Sequence, residues 1–194
     1  MTLTAGVDEV GRGALFGPVV AAAVIIQPDK ERWLQDQGVA DSKALTPRKR
    51  EKLVPIIHAS VIDAQVAWVS VFEIDRINIL QASLRAMAKA IARLSPCPDK
   101  CLVDGNQLIP GLGIAQETVV KGDQHVLAIA AASIIAKVWR DQLIIRLSHR
   151  YPGYDLASNK GYGSPKHLAG LRTLGPTRYH RRSFKSCQPL SLIK

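Results

Sequence analysis

Cysteine is scarce. Cys97, Cys101 and Cys187 leave an odd count, and their spacings match no common zinc pattern, so they read as free thiols. Long apolar runs are missing too: the longest, Val19 to Ile26, falls far short of a bilayer crossing. The first residues lack the basic-then-apolar order of a signal peptide, which leads to the expectation of a soluble, cytoplasmic protein with no membrane partner. There is no internal repeat, low-complexity segment or linker. At 194 residues and 47% hydrophobic content, residues 1–194 are expected to form one domain with a substantial core and no need of disulfide or metal staples.

Negative charge is absent after Asp155. From residue 156 to residue 194 the chain carries eight basic residues and no acid, so most of the formal +10 lies in its last fifth. The eight are Lys160, Lys166, Arg172, Arg178, Arg181, Arg182, Lys185 and Lys194. Such asymmetry suits a nucleic-acid backbone or an anionic membrane surface better than a small neutral substrate. A tail that merely confers solubility is the alternative. The interleaved Tyr162, Tyr179, His180 and Phe184 favour a contact surface, and residues 156–194 are therefore expected to touch nucleic acid.

Against this background one stretch stands out, Gly6-Val7-Asp8-Glu9-Val10-Gly11-Arg12-Gly13. Leu3 to Val10 reads as a strand and Val19 to Ile26 as a second, which puts two adjacent carboxylates at the exit of a buried strand. Acids there cost free energy unless they meet a cation or strong donors. A solvated strand end would be the bland account, but Gly11 and Gly13 strip side chains from around Arg12 and let backbone approach a ligand. Successive strand residues face opposite ways, so the strand is expected to end, twist or bulge at Asp8, with Glu9 reaching the site from the edge.

Further along, Thr46-Pro47 starts a helix running to about His58, and places Asp41-Ser42-Lys43 in the loop before it. Val61 to Val69 reads as a strand, followed by an apolar helical stripe that Ser70 caps and that ends before Pro96. Leu102-Val103-Asp104-Gly105 repeats the pattern of an acid directly after an apolar strand, although Asp-Gly also reads as a simple turn. Val119 to Asp123 supplies a third strand-end acid ahead of an alanine-rich helix from Ala128 to about His149, where Asp123 also reads as an N-cap. Lys137 and Asp141 stand one turn apart and are expected to pair. Lys160-Gly161-Tyr162-Gly163 exposes an aromatic ring between two glycines, ahead of a short helix from Pro165 to Leu174.

Asp8, Glu9, Asp104 and Asp123 thus give an all-oxygen set near strand ends, with no histidine or cysteine cluster competing for it. Oxygen donors of this kind select Mg²⁺ or Mn²⁺ over zinc, and a two-ion site suits phosphodiester hydrolysis. Two rivals stand beside that reading: a non-catalytic nucleic-acid-binding module with structural acids, and a hydrolase of small phosphate substrates. The one-sided basic segment speaks against the second.

The motifs GVDEVGRG with GPVVAAAVI, DSKALTPRKREKL, EIDRINILQASLRAM, VDGN, VVKGD, AIAAASIIAKVWRD and NKGYGSPKHLAGL together resemble the type 2 ribonucleases H, and within them the bacterial ribonuclease HII family. The resemblance spans nearly the whole chain. It implies an α/β, ribonuclease H-like fold, a mixed β-sheet flanked by helices with a helical C-terminal part. It also implies metal-dependent endonucleolytic attack of water on RNA in RNA–DNA hybrids and at single ribonucleotides in duplex DNA, leaving 5′-phosphate and 3′-hydroxyl ends. The family's acidic quartet falls on Asp8, Glu9, Asp104 and Asp123, with Mn²⁺ or Mg²⁺ as the ions. Gly11, Arg12 and Gly13 fall on the segment that senses the ribose 2′-hydroxyl, the group that tells RNA from DNA. Tyr162 falls on the tyrosine that packs against the sugar after the ribonucleotide, and Ser42 and Lys43 fall in a motif with a phosphate-contact role. Because the catalytic stretch begins at residue 6, the related ribonuclease HIII subtype, which carries an additional N-terminal domain, is not expected. A monomer is.

Overall fold

The computed structural model describes residues 2–40 and 42–188. Asp41 and Lys194, both named above, lie outside the described residues. Among the described residues five strands form one mixed sheet: β1 (Thr4–Val10), β2 (Val19–Ile26), β3 (Val61–Val69), β4 (Lys100–Asp104) and β5 (Ala115–Val119). Their order is β3-β2-β1-β4-β5, antiparallel from β3 to β1 and parallel from β1 through β4 to β5. Eight helices surround the sheet among the described residues: α1 (Glu31–Asp36), α2 (Pro47–His58), α3 (Val71–Ile77), α4 (Ile79–Ile91), α5 (Gly122–His125), α6 (Leu127–Ser148), α7 (Leu156–Asn159) and α8 (Pro165–Leu174).

Alternation along the strands divides the core in two. Ala5, Val7, Ala21 and Ala23 face α4, whose Ala82, Ala86, Met87 and Ala90 fill that layer. Ala22 and Val24 face the other way, toward Ala131, Ile134 and Ile135 of α6 and toward Leu53 and Ile57 of α2. Small residues let α6 lie close: a Cβ on Gly6 would fall 2.4 Å from the Ala128 carbonyl carbon. A third apolar cluster, built on Phe16, Ile144, Tyr154, Leu156 and Leu171, ties α6, α7 and α8 to the loop after β1.

Four expectations are modified. The strand expected to end, twist or bulge at Asp8 neither ends nor bulges there, pairing Asp8 with Ala22, Glu9 with Ala21 and Val10 with Val20. The single apolar stripe after Ser70 is two helices, because Asn78 takes φ 66° and its side chain restarts the chain by accepting from the Gln81 amide. Asp123 caps nothing; it lies inside the short α5, and Val126 precedes α6. Apart from Tyr162, the aromatic interleaving of the basic segment packs inward: Tyr179 and Phe184 pack on the third cluster, His180 is buried against Phe16, and Arg181 is fully buried. Those side chains are consumed in folding the C-terminal part. Arg172, Arg178, Arg182, Lys166 and Lys185 stay exposed.

Among the described residues no helix is long and apolar enough to cross a membrane.

Candidate active site

Strand register places the first two acids. Val7 pairs with Val103 across the parallel β1–β4 ladder, so the next residue on each strand, Asp8 and Asp104, projects from the same face on neighbouring strands, toward α6. Glu9 belongs to the opposite face. The β1–β4 pairing ends at Val7, however, and beyond that point Glu9 reaches round the open edge into the same cleft.

Asp8 is 5% exposed, accepts from the Glu9 amide at 2.6 Å and is hydrogen-bonded by Ser133 of α6. Burial, followed by the nearby Glu9 and Asp104 carboxylates, pushes its pKa well above the usual carboxylate range. Glu9 is also raised, chiefly by burial, although Arg12 Nη1 lies 3.2 Å from its Oε1 and opposes the shift. Asp104 Oδ1 accepts from the Gly122 amide at 2.7 Å, which ties the end of β4 to the start of α5. Asp123 is 2% exposed, and its Oδ2 accepts from Lys43 Nζ at 2.7 Å.

Asp8, Glu9 and Asp104 line a cleft of about 340 Å³ together with Gly11, Arg12, Gly13, Ser42, Lys43 and Tyr162. Nine of the ten residues singled out from sequence therefore meet there; Asp123 sits behind Lys43 and does not line it. Among the described residues no three acids converge as a ready coordination cluster. Glu9 is instead engaged by Arg12, and Asp123 by Lys43.

The two glycines differ in role. Gly13 is exposed with nothing within 4 Å of an added Cβ, which leaves backbone open to a ligand. Gly11, at φ +90°, is buried, and its missing Cβ makes room for a protein side chain, since it would lie 2.2 Å from Arg140 Nε. The Ser42 side chain, expected at a phosphate, is instead 4% exposed and hydrogen-bonds Ser133 Oγ at 2.8 Å. Ser42, Ser133 and Asp8 form one connected chain along the cleft wall.

Sequence reading missed the residues that hold the cleft walls. Arg140 donates to the carbonyls of Phe16, Pro18 and Lys160. Arg181 donates to those of Arg12 and Gly17, and Arg50 to those of Ser42 and Leu45. A signal was present: Ile129, Ser133, Ala136, Arg140 and Ile144 recur at helical spacing and are all buried, so the two polar members stand where apolar ones would serve packing alone. The buried pair His167 and His180 was missed as well; their Nε2 atoms are 3.0 Å apart. Burial and then His167 lower the His180 pKa to about 4. A histidine depressed on folding contributes stability above its unfolded pKa and loses it as pH falls toward the folded one. Wild type is expected to lose on the order of 2 kcal/mol more than His180→Asn between pH 7 and pH 4, read by urea unfolding. Parallel losses in the two proteins would contradict the assignment.

The sequence profile of the ribonuclease HII family matches residues 5–187. The chain belongs to this family. Ribonuclease HII of Acaryochloris marina is 62% identical over 184 residues, covering 95% of this chain and 93% of that protein. Ribonuclease HII of Trichodesmium erythraeum is 59% identical over 187 residues, covering 96% and 89%. The crystal structure of ribonuclease H2 from Pyrococcus horikoshii superposes with a TM-score of 0.81 at 32% identity, covering 95% of this chain and 94% of that one. Family membership makes the chain a ribonuclease H, an endoribonuclease acting on RNA in RNA–DNA hybrids, and its mixed sheet with flanking helices is the family's fold.

Proposed function

We propose that the acids at the ends of β1 and β4 and in α5, namely Asp8, Glu9, Asp104 and Asp123, hold Mg²⁺ or Mn²⁺, two ions with substrate bound. One observation carries this reading: Asp8 is buried beside two other acids, and among the described residues no basic side chain bonds it. A buried carboxylate so placed calls for a cation, and the donor set is all oxygen. A divalent ion bound there supplies Lewis-acid stabilisation for phosphodiester hydrolysis.

The chain's own residues orient the substrate. The open backbone at Gly13 suits close approach of a ribose 2′-hydroxyl, and the half-exposed Arg12 guanidinium suits an adjoining phosphate. Tyr162 presents a half-buried ring to the cleft, with Lys137 Nζ and Arg140 Cζ each 5.6 Å from its centre, and suits stacking on the sugar after the ribonucleotide. Lys43 is 76% exposed while Asp123 is 2% exposed, so in this reading an incoming ion replaces the Lys43 ammonium at Asp123 and the Lys43 head turns toward a phosphate. The Ser42 hydroxyl acts through Ser133 on Asp8, and leaves phosphate contact to Lys43.

In this reading the substrates are RNA–DNA hybrids and duplex DNA carrying single ribonucleotides, cut to leave 5′-phosphate and 3′-hydroxyl ends. Residues 1–194 act as one catalytic domain, and the exposed cations of residues 156–188 contact the polymer. The protein works as a monomer in the cytoplasm, in keeping with three thiols that form no disulfide. The test is incision of end-labelled duplexes, one all-deoxy and one with a single ribonucleotide, with Mn²⁺, Mg²⁺ or chelator. Metal-dependent incision only at the ribonucleotide is expected; cleavage in chelator would overturn the metal assignment. Tyr162→Ala is expected to lower kcat/KM at the isolated ribonucleotide by roughly 10- to 100-fold, the scale of one lost stacking contact. An unchanged rate would remove its role.

A further inference from the structure

Tyr162 stands between Gly161, at φ +85°, and Gly163, so its own segment gives it little stiffness. Part of its hold is local, the Tyr162 amide donating to the Asn159 carbonyl at 3.0 Å, and part comes from more distant residues. The Gly161 carbonyl accepts from the amides of Leu15 and Phe16 at 2.8 and 3.2 Å. The Tyr162 carbonyl accepts from the Ser164 amide at 2.8 Å and faces His167 Nδ1 at 2.8 Å.

Donor logic fixes both imidazole tautomers. The Thr177 amide lies 2.9 Å from His180 Nδ1, and an amide can only donate, so that nitrogen bears no proton. The His180 proton is therefore on Nε2, directed at His167 Nε2 3.0 Å away, which must accept. This leaves the His167 proton on Nδ1, which meets the Tyr162 carbonyl oxygen at 2.8 Å. Every donor finds an acceptor in one direction with both rings neutral, and both rings are essentially inaccessible, at 0% and 1% exposure.

We propose that His167 and His180 are positioning residues, a buried relay from the Thr177 amide to the Tyr162 carbonyl that sets the Tyr162 ring against the substrate sugar. It joins the C-terminal segment after α8 to the cleft, and gives that segment a part in ribonucleotide recognition separate from its exposed charge. The inference rests on Tyr162 touching substrate.

Side-chain isosteres separate the two ends of the relay. In His167→Asn the amide nitrogen replaces Nδ1 and keeps the Tyr162 bond, while in His167→Gln the amide oxygen replaces Nε2, keeps His180 and abandons Tyr162. Steady-state kcat and KM on a single-ribonucleotide duplex, with Tm measured alongside, are expected to show His167→Asn near wild type and His167→Gln lower in kcat/KM by roughly three- to tenfold, the scale of one hydrogen bond. In a Tyr162→Ala background His167→Gln is expected to add nothing. If Tyr162→Ala impairs cleavage but the two His167 variants are equally affected, or if His167→Gln and Tyr162→Ala multiply, the relay is overturned and the role of Tyr162 stands. If Tyr162→Ala is indistinguishable from wild type, the substrate role of Tyr162 falls and the relay with it.

Discussion

Asp8→Asn is expected to abolish cleavage and leave the fold intact. The substitution is isosteric, and the amide oxygen still accepts from the Glu9 amide as the carboxylate does at 2.6 Å. It removes a buried charge whose ionised form is disfavoured first by desolvation and then by Glu9 and Asp104. Stability in the absence of metal is therefore expected to stay level or rise by about 1 kcal/mol. Turnover is expected to fall about a thousandfold or more, because Lewis-acid stabilisation is worth several kcal/mol and each 1.36 kcal/mol is tenfold in rate. A thermal readout separates binding from chemistry. A ligand at a hundred times its Kd stabilises by about 2.7 kcal/mol, so Mn²⁺ is expected to raise the Tm of wild type and to have little effect on the variant. Asp104→Asn is expected to behave alike, since register puts it on the same face. Near-normal turnover of Asp8→Asn with either ion would sink the assignment.

Gly11→Ala is expected to give the largest loss of stability at the cleft, and Gly13→Ala almost none. At Gly11 the backbone sits at φ +90°, a conformation that costs an alanine about 1–2 kcal/mol, and the new Cβ would fall 2.2 Å from Arg140 Nε. Arg140 cannot yield without giving up carbonyls of Phe16, Pro18 or Lys160, at 2.8 to 3.1 Å. Each buried carbonyl left unsatisfied costs about 1–3 kcal/mol. A total of about 4 kcal/mol, or a fall in Tm of about 10 °C, is expected for a chain of this size. Incision is expected to fall with it, because Arg12 and Gly13 follow Gly11 directly. At Gly13 an added Cβ meets nothing within 4 Å, so Gly13→Ala is expected to fold normally and to lose activity only through contact with substrate. An unchanged Tm for Gly11→Ala would mean that the Arg140 anchor is slack.

The candidate acids were legible because three of the four stand next to glycine-bearing turns and all lie near predicted strand ends, and local pattern reports local geometry. The strand limits Val19–Ile26 and Val61–Val69 were legible for the same reason, as was the Thr46 cap, whose Oγ accepts from the Lys49 amide. Ser42 shows where such reading stops. Its motif implied a phosphate contact, yet its hydroxyl meets Ser133, 91 residues away. Nothing within either segment announces that meeting.

By itself the sequence determined the family, most of the sheet strands, the candidate oxygen donors and the one-sided positive charge, since motif, alternation and composition are properties of the chain taken segment by segment. Only the tertiary structure decided which residues share a face. The register of Val7 with Val103 brings Asp8 and Asp104 together, the end of that pairing lets Glu9 join them, and the third core cluster takes Tyr179, His180 and Arg181 inward despite their polar or charged groups. The physical reason is one of reach: strand pairing and buried hydrogen bonds such as Arg181 to the Arg12 carbonyl join residues far apart in sequence, whose partners exist only once the chain has folded.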